Sequence, residues 1–324
     1  MSDFTIVCIG AGEMFQYCIR AILRDREVRI PAIFTGSEKV AHRMSRFILL
    51  DSFSREIGIP LIKLESMNDP QAIRHLKELK PDIVFVDGWS EKLSPAVLEV
   101  AKDRFICLHP SLLPKARGGA TLNWALIRGE REWGITLFYL NDQIDQGDMI
   151  AQERFLIEER DDIATLFDKA SVAAMDLLAR VIPQLRMGKA GRIPQDHAVA
   201  TFSPRRKPEQ GAIDWTVSAN EIAHLIRALA HPYPGAFFHW DGKRVFVWKA
   251  SLDTGNWKLE IRNQPPVSKV LYILQGKGIV VSCGEGALFI ERLQLEGKPP
   301  MWADDWCQRH GVREGENITE VLKK

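Results

Sequence analysis

Cysteine is scarce in this 324-residue sequence: there are five cysteines, an odd number, and no Cys-x-x-Cys pair. This pattern disfavours both a disulfide framework and a structural zinc site, so we expect a reducing, cytoplasmic location and no bound metal. Long apolar runs are also absent, and no segment is predicted to span a membrane. The short apolar run near the N-terminus is more typical of a first strand than of a signal peptide.

An excess of charge of either sign is lacking too. Lys and Arg number 43 against 42 Asp and Glu, so the net charge of +1 gives no global reason to expect binding to nucleic acid or anionic membranes. The content of 46% hydrophobic and 26% charged residues is instead that of an ordinary globular protein. The length exceeds a usual single domain of roughly 100 to 200 residues, which predicts one large and one smaller domain.

A third glycine is missing from the turn that follows the first apolar run. Gly10 and Gly12 fit the dinucleotide-binding fingerprint, but Phe15 stands where that fingerprint needs its last glycine. Chain geometry at a strand-to-helix turn explains the two glycines that remain. Nicotinamide binding is therefore disfavoured.

Apolar runs alternate with segments of helical periodicity through the first part of the chain. This alternation predicts a doubly wound, mostly parallel α/β sheet. The predicted strands are 4–9, 28–34, 82–86, 104–108 and 133–140, and the predicted helical segments are 13–23, 40–57, 69–79, 95–101, 120–128 and 162–185.

The sequence becomes polar and rich in Gly and Pro over residues 187–210, which is typical of a linker. We therefore expect a large domain over residues 1–204 and a smaller one over 205–324. After a predicted helix at 219–230, several short strand-like runs are separated by Gly turns. This pattern predicts a small β-barrel of the oligonucleotide-binding type.

His109 and Asp145 are the candidate catalytic residues. His109 follows an apolar strand, and open α/β sheets bind ligands at the carboxyl ends of their strands. A capping or packing role is the ordinary explanation for a single histidine. Asp145 lies in a turn-rich acidic loop after the next predicted sheet strand, and a carboxylate that orients an imidazole suits it to general acid/base catalysis. A solvated turn or a calcium site would also explain this loop, although its spacing misses the EF-hand pattern.

Three motifs carry a specific resemblance. Residues 108–119 read Leu-His-Pro-Ser-Leu-Leu-Pro-Lys-Ala-Arg-Gly-Gly, residues 133–136 read Trp-Gly-Ile-Thr, and residues 144–148 read Ile-Asp-Gln-Gly-Asp. They resemble the folate-dependent formyltransferase family, whose Asn-x-His-x-Ser-Leu-Leu-Pro-x-x-Arg-Gly loop is paired with a Leu-Asp-x-Gly-Asp loop. The resemblance extends over the whole chain, because the second domain is similar to the C-terminal domain of methionyl-tRNA and amino-sugar formyltransferases in residues 206–215, 226–228, 232–237 and 278–295.

The resemblance implies transfer of a formyl group from the co-substrate 10-formyltetrahydrofolate to a primary amine. It implies that His109 manages the proton that moves from the amine to the folate nitrogen, and that Asp145 holds His109. Trp89 would help to line the folate pocket, although an ordinary core position would explain it equally well. The full set implied for the pocket, through backbone contacts and apolar walls, is Val86, Gly88, Trp89, Asn141 and Asp142.

Cys107 departs from the family pattern, because the family has asparagine at this position. The resemblance implies that the amide of this asparagine donates a hydrogen bond to the developing oxyanion. The loss of such a donor typically costs about 10²- to 10³-fold in rate. A thiol donates only weakly. In order of preference, the protein is a slower enzyme in which backbone or water replaces the donor, a relative that binds without catalysis, or an enzyme whose Cys107 thiol carries the formyl group itself.

The second domain separates the branches of the family. It disfavours the single-domain purine-pathway formyltransferases and the formyltetrahydrofolate hydrolases. Leu122-Asn123-Trp124 is similar to amino-sugar enzymes of the aminoarabinose type, whereas initiator-tRNA enzymes usually have Ala-Pro-Ile-Gln here. We therefore predict an amino-sugar nucleotide or another small amine as acceptor; methionyl-tRNA is the alternative, and a catalytically impaired folate-binding relative is the second alternative.

The basic and polar residues near the site have candidate roles. Ser111, Lys115 and Arg117 are predicted to contact the phosphates of the acceptor, since arginine can bind a phosphate in bidentate fashion. The smaller domain would shape the site or form a homodimer. A tRNA-binding patch or a solvated linker would each explain a further basic set, which is Lys189, Arg192, Arg205, Arg206 and Lys207.

Overall fold

The computed structural model describes residues 4–44, 46–252 and 266–319. The chain forms two compact units. The first unit comprises residues 1–121, 132–156 and 168–204, and the second comprises 122–131, 157–167 and 205–324. The sequence-based division at residue 205 kept 122–131 and 157–167 in the first domain.

An eight-stranded sheet forms the centre of the first unit. Its order is β4-β3-β1-β5-β6-β8-β9, with β2 paired to β1, and it is parallel except where β8 runs antiparallel to β6 and β9. The predicted doubly wound, mostly parallel sheet is confirmed. The strands up to residue 203 are β1 Phe4–Gly10, β2 Val28–Arg29, β3 Ile33–Gly36, β4 Leu61–Leu64, β5 Ile83–Asp87, β6 Phe105–His109, β7 Arg117–Gly118, β8 Glu132–Tyr139, β9 Met149–Leu156 and β10 Phe202–Ser203.

Six α-helices accompany these strands: α1 Glu13–Ile22, α2 Asp51–Ile57, α3 Pro70–Glu78, α4 Pro95–Leu98, α5 Thr121–Ile127 and α6 Ile163–Arg186. The start of α3 follows ordinary capping chemistry. Asp69 caps α3 by accepting a hydrogen bond from Gln71 N at 2.7 Å, and Pro70 occupies the first turn, where its missing N–H costs nothing. Short 3₁₀ helices cover Glu38–Arg43, Glu99–Ala101, His197–Val199 and Pro208–Gly211.

The central strands are buried on both faces, which explains their continuous apolar runs. Strands β1 and β5 approach so closely at their ends that a Cβ on Gly10 would lie 1.9 Å from the carbonyl oxygen of Asp87. Strand β9 is absent from the strands predicted from the sequence. It is an edge strand with half-buried and exposed polar residues, and this mixed pattern conceals its strand character in the sequence.

The second unit contains a six-stranded antiparallel sheet of order β11-β12-β15-β14-β13, with β16 paired to β15. This confirms the predicted β-rich C-terminal domain. Its core surrounds the fully buried Trp306, whose ring meets Trp240 edge-on at 5.3 Å. The elements are α7 Ala219–Ala228, β11 Ala236–Trp240, β12 Lys243–Ser251, β13 Val270–Leu274, β14 Gly278–Ser282, β15 Ala287–Leu295, β16 Met301–Trp302 and α8 Ala303–His310.

None of the helices in the described ranges is long and apolar enough to cross a membrane.

Candidate active site

The candidate site lies at the carboxyl edge of the central sheet. Gly10, the last residue of β1, pairs with Asp87, the last residue of β5. Val86 of β5 pairs with Cys107 of β6, and His109 is the last residue of β6. This is the edge at which open α/β sheets bind ligands.

His109 is buried, with 6% of its surface exposed, and each of its ring nitrogens faces an oxygen atom. Its Nε2 lies 2.9 Å from the carbonyl oxygen of Ala116. Because a carbonyl only accepts hydrogen bonds, Nε2 carries the hydrogen in this arrangement. Its Nδ1 lies 3.7 Å from Asp145 Oδ2, which is beyond hydrogen-bond reach but close enough for the carboxylate to stabilise a positive ring. The structure therefore brings the two predicted catalytic residues together.

The Asp145 carboxylate is hydrogen-bonded to residues 110–118, the predicted catalytic loop that follows His109. Its Oδ2 accepts a hydrogen bond from Gly118 N at 2.8 Å. Asp145 has a φ of +54°, which aspartate tolerates better than most residues. Gly118 has a φ of +102°, and a Cβ there would lie 2.4 Å from the carbonyl oxygen of Ser203 on β10. Only glycine fits this position without displacing the strand beside it.

Gln195 is a site residue that the sequence analysis missed. Its Nε2 donates to the carbonyl oxygens of Asp145 at 2.9 Å and Gly147 at 2.8 Å. Its Oε1 accepts from Arg117 Nη2 at 2.7 Å and Nε at 3.2 Å. The interpretation of residues 187–210 as a linker is therefore wrong around Gln195, because this part packs on the catalytic loop. A glutamine in a polar stretch carries no local signal of burial.

The three predicted phosphate contacts have different surroundings. Ser111 is fully buried, and its hydroxyl donates to the carbonyl oxygen of Lys115 at 2.7 Å. Arg117 is buried against Gln195 and His197, and burial lowers its pKa while the Asp145 charge opposes that effect. The described contacts thus explain Ser111 and Arg117 as residues that shape the loop. Lys115 has an exposed side chain in the same loop.

The residues predicted to line the folate pocket fall into two groups. Val86 and Trp89 pack in one apolar cluster with Cys107 and Leu140. The Nε1 hydrogen of Trp89 is buried and has no hydrogen-bond partner in the described part of the chain. Such a donor suits a polar edge of a bound ring system or a water. The other group is Gly88, Asn141 and Asp142, which are exposed and lie just after the ends of β5 and β8.

Cys107 is a protonated thiol in this environment. Burial raises its pKa well above the ordinary value, and the negative charges of Asp145 and Asp87 raise it further. Its Sγ donates to the carbonyl oxygen of Leu108 at 3.5 Å. The thiolate is the nucleophilic form of cysteine, so this environment disfavours a thiol that carries the formyl group.

Asp87 is an ionisable residue at this edge that was not predicted from the sequence. Burial raises its pKa to about 7, and a hydrogen bond from Gly88 N–H acts in the opposite direction. It ends an otherwise apolar strand, and a charged residue within an apolar run is the signal that could have found it. Within the described residues, no group of three or more His, Cys, Asp or Glu side chains is arranged to hold a metal ion.

Solved structures share this architecture. An N-formyltransferase from Helicobacter canadensis in complex with folinic acid and dTDP-3-aminofucose superposes with a TM-score of 0.64 at 18% identity, covering 90% of this chain and 98% of that one. HypX from Aquifex aeolicus in complex with tetrahydrofolic acid also superposes with a TM-score of 0.64 at 18% identity, covering all of this chain and 50% of that one. At these identities the likeness shows the fold.

Sequence comparison identifies the family. The family model described as "Formyl transferase" matches residues 4–182, and the model described as "Formyl transferase, C-terminal domain" matches residues 205–311. The methionyl-tRNA formyltransferase of Caldanaerobacter subterraneus subsp. tengcongensis is 36% identical over 314 residues, which are 96% of this chain and 98% of the relative. The chain therefore belongs to the formyl transferase family.

Proposed function

We propose that this protein transfers the formyl group of 10-formyltetrahydrofolate to the primary amine of methionyl-tRNA, with His109 and Asp145 as the catalytic pair. The observation that carries the chemistry is the buried His109 ring at the carboxyl edge of the sheet, with the Asp145 carboxylate 3.7 Å from its Nδ1. Family membership supports the formyl donor. The acceptor is supported by the relative that is 36% identical over nearly the whole chain.

His109 Nδ1 is the atom that moves the proton. Nε2–H is held by the Ala116 carbonyl oxygen, so Nδ1 is the ring nitrogen that can accept a proton. The acceptor amine forms a bond to the formyl carbon while the bond from that carbon to the folate nitrogen breaks. His109 takes the proton that the amine loses and returns it to the folate nitrogen, and Asp145 stabilises the ring while it is charged. General acid/base catalysis of this kind typically contributes about 10²- to 10⁴-fold in rate.

Three side chains would bind the folate. Val86 and Leu140 supply apolar walls, and Trp89 supplies an aromatic face and an unpartnered N–H. Cys107 faces the same cluster. Because its weak donor is already bonded to a backbone carbonyl, we expect a backbone N–H or a water to support the developing oxyanion, and we expect slow turnover.

The Leu122-Asn123-Trp124 motif that favoured an amino-sugar acceptor has a structural explanation. Asn123 is buried, and its Nδ2 donates to the carbonyl oxygen of Ala228 at the end of α7 at 2.7 Å. The Trp124 ring lies 5.2 Å from the guanidinium of Arg128 and 4.8 Å from that of Arg206. These contacts serve the packing of the second unit and carry no information about the acceptor, which leaves methionyl-tRNA as the better supported choice.

Part of the basic set near the predicted linker also has structural roles. Arg192 stacks over the Tyr139 ring at 3.7 Å and donates to the carbonyl oxygen of Asp103. Arg206 stacks on Trp124 as described. Lys189 and Lys207 are exposed, and we assign them to phosphate contacts with the tRNA backbone.

The test is a transfer assay with purified protein, 10-formyltetrahydrofolate and two acceptors, initiator methionyl-tRNA and a dTDP-linked amino sugar. Product mass and free tetrahydrofolate are measured together. We expect formylmethionyl-tRNA from the wild type, no product from His109→Ala, and normal activity from the control His239→Ala, which changes an exposed histidine of the second unit. Formylation of the sugar alone would refute the tRNA assignment, and folate binding without any product would favour a non-catalytic relative.

A further inference from the structure

Residues 193–203 are hydrogen-bonded at several points to Met149 and to residues 116–118. Ile193 and Met149 exchange two backbone hydrogen bonds of 2.8 Å each. Strand β10 pairs with β7, and Thr201 Oγ1 accepts from Ala116 N at 2.8 Å. Gln195 lies between these hydrogen-bonded positions in the sequence, and 5% of its surface is exposed. Its position is therefore set by backbone pairing on both sides.

The Gln195 amide uses all of its hydrogen-bonding capacity. Both hydrogens of Nε2 are donated, to the carbonyl oxygens of Asp145 and Gly147, and Oε1 accepts both of its bonds from Arg117. The second Nη2 contact of Arg117 is to His197 Nδ1 at 3.1 Å, so the guanidinium is itself fixed. A glutamine saturated in this way has one orientation, and it joins Arg117 on β7 to the loop that follows β8.

The position of the loop that carries Asp145 depends on the hydrogen bonds that Gln195 donates to it. The Asp145 carboxylate does not touch His109, and the Gly118 N–H is the one contact that is shorter than 3 Å to its Oδ2 among the described residues. The loop backbone is also tightly packed, because a Cβ on Gly147 would lie 1.7 Å from the carbonyl oxygen of Tyr139. The distance between carboxylate and imidazole is thus set by where the backbone of 145–147 lies.

We propose that Gln195 is a positioning residue for the catalytic pair: its amide holds the backbone of 145–147 against Arg117 and thereby sets the distance from the Asp145 carboxylate to the His109 ring. This inference rests on the proposed function for its kinetic consequence. Arg117 orients the glutamine amide. Displacement of a catalytic group by about 1 Å can cost about 10²-fold in rate, which sets the expected effect.

Three variants test the proposal. Gln195→Ala removes the tie. Gln195→Glu keeps the shape and the bonds to Arg117 but places a carboxylate oxygen against two carbonyl oxygens, so it breaks the tie without leaving a cavity. Gln143→Ala is the matched control, because it changes an exposed glutamine of the same acidic loop. Folate-binding stoichiometry gives the concentration of folded sites in each preparation.

We expect Gln195→Ala and Gln195→Glu to lower kcat about 10- to 100-fold per folate-binding site, with the folate Kd unchanged within about twofold. Gln143→Ala keeps the wild-type kcat. A purely structural role predicts instead fewer folded sites with a normal kcat for each site, and that outcome would overturn the proposal.

A measurement without turnover separates this proposal from the proposed function. The His109 ring is followed by NMR in protein with ¹³C-labelled histidine, and its resonance is assigned with His109→Ala. A carboxylate that moves away from the ring changes the electric field at the ring carbons, so the His109 ring ¹³C chemical shift at a fixed pH should change in Gln195→Ala and stay in place in Gln143→Ala. An unchanged chemical shift in Gln195→Ala would refute the positioning role, whether or not an acceptor has been found.

Discussion

Asp87 is a buried carboxyl group whose ionisation opposes folding. It is 7% exposed, and burial raises its pKa to about 7, whereas an aspartate in an unfolded chain titrates near 3.9. Between these two values the folded protein binds more protons than the unfolded chain. The stability that Asp87 contributes is therefore lost as the pH rises from about 4 to about 7, and this contribution does not change above that range. The protonatable groups that interact with Asp87 are Cys18 on α1 and Cys107 on β6.

The size of the effect follows from the two pKa values. Each tenfold change in proton affinity is worth about 1.4 kcal/mol, so the ionised Asp87 costs about 4 kcal/mol of unfolding free energy above pH 7. At pH 5 the loss of unfolding free energy is about 1.5 kcal/mol, because pH 5 lies only about 1.1 units above the pKa of an aspartate in the unfolded chain. Asp87→Asn removes this dependence while its amide oxygen still accepts the hydrogen bond from Gly88 N–H.

The assay is urea unfolding followed by circular dichroism at pH 5 and pH 8. The stability of Asp87→Asn relative to the wild type should rise by about 2 to 3 kcal/mol between the two pH values, whatever pH-independent cost the buried amide adds. Asp103→Asn, which neutralises an exposed carboxylate of the same unit, should show little pH-dependent change. The same relative stability of Asp87→Asn at both pH values would refute the burial argument.

Three further predictions concern the catalytic edge. Asp145→Asn should lower kcat by about 10²-fold or more with folate binding retained, because the His109 cation loses its stabilising charge; wild-type turnover in a single-turnover assay would end this mechanism. Cys107→Asn should raise kcat by up to about 10²-fold by restoring an amide donor, and an unchanged kcat would show that another donor is already sufficient. Gly118→Ala should lower both Tm and kcat, since its Cβ would collide with β10 and displace the N–H that holds Asp145, whereas Gly191→Ala, with nothing within 4 Å, should change neither.

Much of the fold was predictable from local patterns. The strands of the parallel sheet are continuous apolar runs because both of their faces are buried, and the helices between them show helical spacing. His109 and Asp145 were found because a strand end and a polar loop mark the ligand edge of such a sheet, and because their motifs resemble those of a known family. Strand β9 escaped prediction because it is an edge strand with a mixed pattern.

The acceptor prediction shows that a local motif can have more than one explanation. Asn123 and Trp124 were taken as marks of an amino-sugar enzyme, yet their side chains bond and stack within the second unit. Ser111 and Arg117 are predicted to contact phosphates, and the structure gives both of them buried contacts with the protein itself. The identity of a polar residue in a motif is the same whether its side chain contacts a ligand or the rest of the protein. Only the residues that surround it in the structure distinguish the two cases.

The sequence by itself predicted the sheet, the family and the two residues of the proposed catalytic pair, because short apolar runs or contiguous motifs indicate each of these. The tertiary structure alone decided what surrounds that pair. Gln195 is 50 residues from Asp145 and 78 from Arg117 along the chain, and its buried hydrogen bonds exist only once the loops have been brought together. Burial likewise raises the pKa of Cys107 and of Asp87, and no local sequence pattern encodes that burial.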